Sequence, residues 1–433
     1  MDQRDARYSA CLSALRDHLK PAMGCTEPIS IAYAAAVARR ALGREPERVL
    51  ARVSGNIIKN AMAVTVPHTG GRKGIDAACA AGIVAGDPDR ELEVLSQVSP
   101  AQLRAMDAYL ARGVIDIELR PDARLFDIEI IAEAGGHRAS ARIVDRHTNV
   151  VQVETDGRCS LSRPVEQAAE AAAKERALTI EGIYAFADTC DLDDVRPILD
   201  KQIEYNMAIA REGLTGRWGA AVGRVLLDAY GEDDVRIRAR AWAAAGSDAR
   251  MSGCEMPVVI NAGSGNQGIT VCVPVMVYAE ACGIDRERVY RALALANLVA
   301  IHEKTSIGCL SAYCGAISAG CAAGAGIAYL LGGDLWMVCH TVVNSLAVLS
   351  GTICDGAKPS CAAKIASAVD AAITGYEMAK RGKQFVGGEG IVKKGVENTI
   401  ESVGRLAADG MRQTDREILD IMIRRPGDAH GHQ

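Results

Sequence analysis

TSIGCLSAYCGAISAGCAAGAGIAYLLGG, residues 305–333, contains no charged residue. The stretch is long enough to cross a bilayer, and residues 256–279 and 335–354 are uncharged as well. These runs are rich in Gly, Ser, Asn and Cys instead of Leu, Ile and Phe, and they lack the aromatic belts of membrane spans. They therefore predict helices buried in a protein core, with a small-solute membrane carrier as the alternative interpretation.

The composition of the 433-residue chain is typical of closely packed helices. Hydrophobic residues make up 49% of the chain but aromatic residues only 4%, and there are 43 glycines. Small side chains let helix backbones approach one another, and a chain of this length is expected to contain more than one domain. We therefore expect an α+β fold that is mainly α, built around an Ala/Gly-rich helical catalytic domain.

Strand-like runs interrupt the helical pattern between residues 85 and 160. A predicted helix near 100–112 is followed by GVIDIELRP, LFDIEIIAEAGG, HRASARIVDRHT and NVVQVETDGR, whose alternation and β-branched residues are typical of strands. We expect 85–160 to form a small inserted α+β domain that is self-contained in its strands and contributes no catalytic side chain. Residues 1–84 and 161–433 would together form the helical catalytic domain.

Charge and cysteine content limit the class of function. The net charge is −5, and Lys and Arg are scattered, so the basic stripe of a nucleic-acid-binding protein is missing. A small-molecule partner is expected instead, with neither nucleic acid nor membrane. The charged N-terminus MDQRDARYSACLSALRDHLK is unlike a signal peptide, and 14 cysteines are consistent with the reduced state of a cytoplasmic protein.

Two cysteines surround a Gly, a Lys and a Pro in TICDGAKPSC, residues 352–361, and a third lies in SAYCGAISAG. An iron–sulfur cluster needs thiolates from separate segments, next to small residues whose backbone amides hydrogen-bond sulfide. Cys314, Cys354 and Cys361 are therefore candidate metal ligands, and Lys358 would offset the charge of two thiolates. The alternative is that these cysteines are small core residues.

Cys25, in PAMGCTEPIS, lies on a predicted turn just before a helix. The positive end of the helix dipole would lower its pKa and favour a thiolate that acts as base or nucleophile. An inert turn cysteine is the alternative, with Glu27 an ordinary acid of the first helical turn. Lys304, in AIHEKTSIG, is the second catalytic candidate. It could neutralise a substrate carboxylate or a cluster, or simply end a helix favourably.

Two polar segments predict a pocket for a small zwitterion. NAGSGNQGI, residues 261–269, lacks the context of a dinucleotide-binding loop, but its amides can bind a carboxylate without a fixed charge. A helix-capping loop is the alternative. In SGNIIKNAMAVTVPHTGG, small residues surround further amide and imidazole side chains. The candidate substrate-binding residues are Glu27, Ser54, Asn56, Asn60, His68, Asn261, Ser264, Asn266, Gln267 and Lys358.

Five motifs together resemble the oxygen-sensitive L-cysteine desulfidase family, which is related to the alpha chain of iron–sulfur-dependent L-serine dehydratases. They are GCTEP, SGNIIKNAMAVTVPHTGG, NAGSGNQGI, SAYCGAISAG and CDGAKPSC. The resemblance covers nearly the whole chain. It implies a [4Fe–4S] cluster held by Cys314, Cys354 and Cys361, no pyridoxal phosphate, and Cys25 at the position of the N-terminal cysteine of the family.

The activity that this resemblance implies is α,β-elimination of L-cysteine to pyruvate, hydrogen sulfide and ammonia. An open iron would act as Lewis acid, and Cys25 would take the Cα proton. L-Serine is the alternative substrate, although the C-x₆-C spacing of Cys354 and Cys361 resembles the desulfidase branch and is shorter than in the serine dehydratases. A non-enzymatic iron–sulfur redox sensor is the alternative from another class. We expect a cytoplasmic homo-oligomer, a dimer.

Overall fold

Helices form most of the protein, and the strands fall into two sheets. The computed structural model describes residues 1, 3–120, 124–165, 177–308 and 310–423. The helices are α1 (Ala6–His18), α2 (Thr26–Leu42), α3 (Gly55–Ala61), α4 (Ile75–Ala85), a short 3₁₀ segment (Pro88–Glu93), α5 (Pro100–Ala111), α6 (Ile180–Thr189), α7 (Leu192–Gly213), α8 (Val222–Tyr230), α9 (Val235–Met251), α10 (Gly265–Cys282), α11 (Arg286–Ile307), α12 (Gly315–Leu330), α13 (Leu335–Leu349), α14 (Cys361–Lys380), α15 (Val396–Arg405), a π-helical turn (Leu406–Gly410) and α16 (Arg412–Ile423). The strands are β1 (Pro21–Met23), β2 (Arg48–Val53), β3 (Ile115–Leu119), β4 (Asp127–Ala134), β5 (His137–Val144), β6 (Val150–Thr155), β7 (Arg158–Ser162) and β8 (Pro257–Val259).

Helix α12, which comes from the uncharged stretch 305–333, is central to the helical core. Its side chains are buried, and it packs against α10, α11, α13 and α14. Gly320 and Gly324 face α14 closely. A Cβ atom on Gly320 would lie 2.7 Å from the Cβ atom of Ala368, and one on Gly324 would lie 2.9 Å from the Cβ atom of Ala372. The predicted buried helical core is confirmed. No helix among the described residues is both long enough and apolar enough to cross a membrane.

The larger sheet has six strands in the order β3-β2-β4-β5-β6-β7. Strands β2 and β3 are parallel, with Val49 opposite Ile115, and the other neighbours are antiparallel. Helix α2 packs against β4 and β5, and α4 packs against α2. The predicted α+β, mainly α fold class is confirmed.

Strand β2 corrects one expectation about the insert. Arg48–Val53 precedes residue 85, yet it lies between β3 and β4 in the sheet. The expectation that 85–160 is self-contained in its strands is therefore wrong, because β3 pairs with β2 alone among the described strands. The boundaries at 84/85 and 160/161 stay predictions.

A second, two-stranded sheet joins the N-terminal part of the chain to the helical core. Strands β1 and β8 are antiparallel, with Pro21 opposite Val259 and Met23 opposite Pro257. The backbone N–H of Ile260 extends the pairing by donating to the carbonyl oxygen of Lys20 at 2.9 Å. Because β1 ends immediately before the GCTEP motif and β8 immediately before NAGSGNQGI, this pairing draws both motifs to one region.

We expect Gly320→Val to destabilise the protein, because its Cβ atom would overlap Ala368 on α14. Overpacking of this kind costs about 1 to 3 kcal/mol in the free energy of unfolding, which denaturant titration measures. Gly351→Val is the matched control, since Gly351 is exposed and a Cβ atom there meets nothing within 4 Å. Equal effects of the two substitutions would contradict the role of close helix contact.

Candidate active site

The N-termini of four helices surround one cavity of about 100 Å³. Helix α2 begins after Cys25, α10 after Ser264, α12 after Cys314, and α14 at Cys361, and all four residues line the cavity. The backbone N–H groups of a first helical turn lack partners within the helix and carry partial positive charge. The cavity is therefore suited to anionic groups.

Backbone pairing holds Cys314 and Cys354 in adjacent positions. Tyr313 and Ile353 form a β-bridge. The N–H of Cys314 donates to the carbonyl oxygen of Thr352 at 3.1 Å. The N–H of Cys354 donates to the carbonyl oxygen of Ala312 at 2.6 Å. Two segments that are 40 residues apart in the sequence are thus fixed to each other beside the cavity.

Cys361 completes the set from the same loop as Cys354. Its N–H donates to the carbonyl oxygen of Lys358 at 2.9 Å, and its Sγ lies 3.8 Å from the carbonyl oxygen of Gly356. Gly356 has a φ of +93°, and a Cβ atom there would lie 2.4 Å from the carbonyl oxygen of Lys59. Glycine is required at this position, because the loop packs directly on the backbone of α3.

Burial determines the protonation of these thiols. It raises the pKa of Cys314 to about 12. The neighbouring Cys354 adds to this rise in pKa, and a hydrogen bond from the backbone N–H of Ala316 opposes it. Burial also raises the pKa of Cys361, against the backbone N–H of Lys358. At neutral pH both side chains are therefore neutral thiols.

Cys25 is buried, and its thiol donates to Glu27 Oε2 at 3.3 Å. The hydroxyl of Thr26 lies 2.9 Å from the carbonyl oxygen of Gly263, which holds the start of α2 against the NAGSGNQGI loop. Burial raises the pKa of Cys25 well above its usual range, Glu27 adds to the rise, and Arg250 opposes it. The expected lowering of this pKa is wrong, because burial outweighs the helix N-terminus.

Most of the predicted site residues lie at the cavity, although their roles stay predictions. Those that line it are Cys25, Glu27, Asn60, Ser264, Asn266, Gln267, Lys304, Cys314, Cys354 and Cys361. The remaining five candidates, Ser54, Asn56, His68, Asn261 and Lys358, are not among the lining residues.

Two of these five hold α3 in place. Ser54 caps the helix by accepting from the N–H of Ile57 at 3.4 Å, and its hydroxyl donates to the carbonyl oxygen of Leu125 at 2.8 Å. The amide of Asn56 donates to Asp415 Oδ2 on α16 at 2.7 Å, and the buried Lys59 forms an ion pair with the same carboxylate. They thereby fix the helix that carries Asn60 to the cavity.

The other three are also engaged elsewhere. Nδ1 of His68 lies 3.4 Å from Oε2 of Glu255, and the backbone of His68 has a φ of +55°. The amide of Asn261 donates to Asn297 Oδ1 at 2.9 Å inside the core. Lys358 forms an ion pair with Asp355.

Two basic side chains at the cavity were not predicted from the sequence. Arg250 comes from the last turn of α9, and His147 follows β5. His147 belongs to residues 85–160, so its presence at the cavity contradicts the expectation that this segment contributes no catalytic side chain. Burial lowers the pKa of His147, and its Nε2 is buried without a partner among the described residues. Gly263, with a φ of +85°, makes room for this ring, since a Cβ atom there would lie 2.7 Å from it.

Among the described residues, no three His, Cys, Asp or Glu side chains are arranged to hold a single metal ion. A cubane cluster has a different requirement, because its thiolates bind different iron atoms and do not converge on one point. Three cysteines that line the same cavity, two of them with backbone N–H groups at sulfur, are chemically suited to such a cluster.

Sequence comparison gives the family. The chain matches the serine dehydratase alpha chain family over residues 89–420. It belongs to this family. A UPF0597 protein of Desulfitobacterium hafniense is 51% identical over 98% of each chain. A UPF0597 protein of Finegoldia magna is 48% identical over 94% of this chain and 98% of the relative. One of Lachnoclostridium phytofermentans is 46% identical over 96% of this chain and 100% of the relative.

Membership of the serine dehydratase alpha chain family confirms the relation that the motifs predicted. It also supports a lyase-type function.

Glu303 is a buried acid on α11, next to Lys304 on the cavity wall. It is 2% exposed, and within the described chain neither of its carboxyl oxygens has a hydrogen-bond partner. Burial raises its pKa to about 8, and Cys321 and Ser318 lie close enough to oppose the rise without reaching hydrogen-bond geometry. Glu303 therefore stays protonated in the folded protein at neutral pH.

We expect Glu303→Gln to remove a pH dependence of stability. Between about pH 5 and pH 8 the folded protein keeps the proton on Glu303, while the unfolded chain loses it. This group therefore stabilises the fold most at low pH and loses its contribution as pH rises to about 8, by at most about 1.4 kcal/mol per pH unit. The difference in unfolding free energy between wild type and variant should follow that slope. A constant difference would contradict it.

Proposed function

We propose that this protein is an iron–sulfur-dependent lyase that eliminates hydrogen sulfide from L-cysteine. The observation that carries the proposal is that Cys25, Cys314, Cys354 and Cys361 line one small cavity at four helix N-termini, in a member of the serine dehydratase alpha chain family.

Elimination from L-cysteine needs a cation that stabilises the negative charge on the departing sulfide. Cys314, Cys354 and Cys361 would hold a [4Fe–4S] cluster. When bound by three thiolates, such a cluster supplies an iron with an open position that acts as a Lewis acid. The helix N-termini at Cys314 and Cys361 favour the anionic state that these ligands need.

In this proposal Cys25 would handle the proton on Cα. Its thiol donates to Glu27 and burial raises its pKa, so a thiolate would form here only when a cationic group is bound at the cavity. The thiolate would take the Cα proton, the Cα electron pair would form the Cα–Cβ double bond, and the Cβ–S bond would break to release sulfide. The aminoacrylate product then tautomerises and takes up water, giving pyruvate and ammonia.

The remaining polar groups would orient the substrate and exclude bulk water. Asn60, Ser264 and Asn266 offer uncharged donors and acceptors at the cavity. Lys304 is 7% exposed and brings positive charge to the wall next to the protonated Glu303. L-Serine remains the alternative substrate because the family is that of the serine dehydratase alpha chain.

The ligand role of the three cysteines is tested by anaerobic purification with iron and sulfide quantified. We expect Cys354→Ser to lose most of the iron and all pyruvate formation, while its helical circular dichroism is unchanged. Cys159→Ser is the matched control, because Cys159 is an exposed thiol on β7. Wild-type protein that binds iron but forms pyruvate from neither L-cysteine nor L-serine would favour the redox sensor. Wild-type protein without iron would overturn the proposal.

The base role of Cys25 is tested separately. We expect Cys25→Ser to keep its iron and lower the rate of pyruvate formation by about 100-fold or more, since a positioned base contributes roughly that factor. Full activity of the variant would remove Cys25 from the mechanism. Loss of iron would show that Cys25 is a ligand. Comparing kcat/KM for L-cysteine and L-serine in the wild type decides between the two substrates.

A further inference from the structure

Arg250 is a buried cation at the cavity that the elimination described above does not use. It is 4% exposed, and its Nη1 donates to Asn266 Oδ1 at 3.1 Å. Its Nε is buried and has no hydrogen-bond partner within the described residues. A charged donor without a partner in a buried place is costly, so its position calls for an anionic ligand.

Gln267 presents the opposite polarity in the same cavity. It is 5% exposed and lies in the first turn of α10, and its Oε1 is buried without a hydrogen-bond partner in the described chain. An amide oxygen can accept a hydrogen bond from an ammonium group. Arg250 and Gln267 both line the cavity, and each thus has one buried polar atom without a partner among the described residues.

Glycines of two motifs make room for both side chains. A Cβ atom on Gly265 would lie 2.3 Å from Arg250 Nε, and one on Gly315 would lie 2.9 Å from Gln267 Nε2. Neither glycine has a positive φ, so space and not backbone conformation requires the missing Cβ atom. The NAGSGNQGI loop accommodates the guanidinium, in addition to contributing its own amides.

We infer that Arg250 binds the carboxylate of an α-amino acid and that Gln267 accepts from its ammonium group, so the cavity recognises the zwitterion. The inference rests on the proposed function in placing the substrate at this cavity. The planar guanidinium suits a carboxylate, because it can offer two parallel N–H donors, and Asn266 fixes its orientation through Nη1. The expectation from the sequence that amides alone would bind the carboxylate is thereby replaced by a fixed charge.

Binding of unreactive probes tests the inference without the elimination. L-Alanine has both charged groups and no leaving group, propionate lacks the ammonium, and ethylamine lacks the carboxylate. Calorimetric titration of the anaerobically purified wild type should show L-alanine binding at least about tenfold more tightly than either analogue. Binding of L-alanine no tighter than ethylamine overturns the inference.

Variants then identify the residue. Arg250→Gln should weaken L-alanine binding by about 30- to 100-fold, to the level of ethylamine, while ethylamine binding itself is unchanged. Arg250→Lys should bind L-alanine with intermediate affinity, because it keeps the charge and loses the paired donors. Arg236→Gln is the matched control, since Arg236 lies on the same helix and forms an ion pair with Asp370 outside the cavity. Unchanged L-alanine affinity in both Arg250 variants overturns the inference.

The two proposals fail in different ways. One outcome is that L-alanine binding depends on Arg250 but the protein makes no pyruvate. This outcome supports zwitterion recognition and overturns the proposed lyase activity. Pyruvate formation from L-cysteine with an unchanged KM in Arg250→Gln supports the lyase and overturns the role of Arg250. In the expected case KM rises with the loss of L-alanine affinity, and the iron content equals that of the wild type.

Discussion

Contact between helix backbones at glycine is the constraint on which the rest of this structure depends. In the core, Gly320 and Gly324 bring α12 against α14 at distances that leave no space for a side chain. At the cavity, missing Cβ atoms at Gly263, Gly265 and Gly315 leave the volume that His147, Arg250 and Gln267 occupy. The same property of glycine thus sets helix packing and the shape of the candidate active site.

Electrostatics at the cavity reflect two opposing effects. Helix N-termini favour negative charge, while burial disfavours any charge that lacks a partner. Burial prevails in the structure as it stands, because it raises the pKa of Cys25, Cys314 and Cys361. The helix N-termini therefore favour anions at the cavity while burial keeps its thiols neutral, and a cationic ligand would convert these thiols to thiolates.

The sequence was informative where local composition decides the structure. The uncharged, Gly-rich stretch 305–333 predicted a buried helix, and the strand runs after residue 112 were recognisable by alternation. Motifs with small residues around Cys, Asn and Ser led to much of the cavity wall. Strand β2 was missed as part of the sheet, since RVLARV gives no sign of pairing with a strand more than 60 residues away.

Arg250 and His147 were missed for a related reason. Arg250 is an ordinary last-turn arginine by sequence, and His147 lies in a loop between strands. Their significance comes from long-range packing against glycines of another segment. The pKa of Cys25 was misjudged because position before a helix is visible in the sequence, whereas complete burial is not.

The ion pair of Lys59 with Asp415 has a consequence for the order in which the protein is made. The two residues are 356 positions apart, and Asn56 reaches the same carboxylate. Because a ribosome releases the chain from its N-terminus, α3 is synthesised long before its anchor on α16 exists. The contact between α3, which carries Asn60, and α16 is thus made only near the end of translation. A ligand that needs all four cysteines of the cavity can bind only after residue 361 has been synthesised.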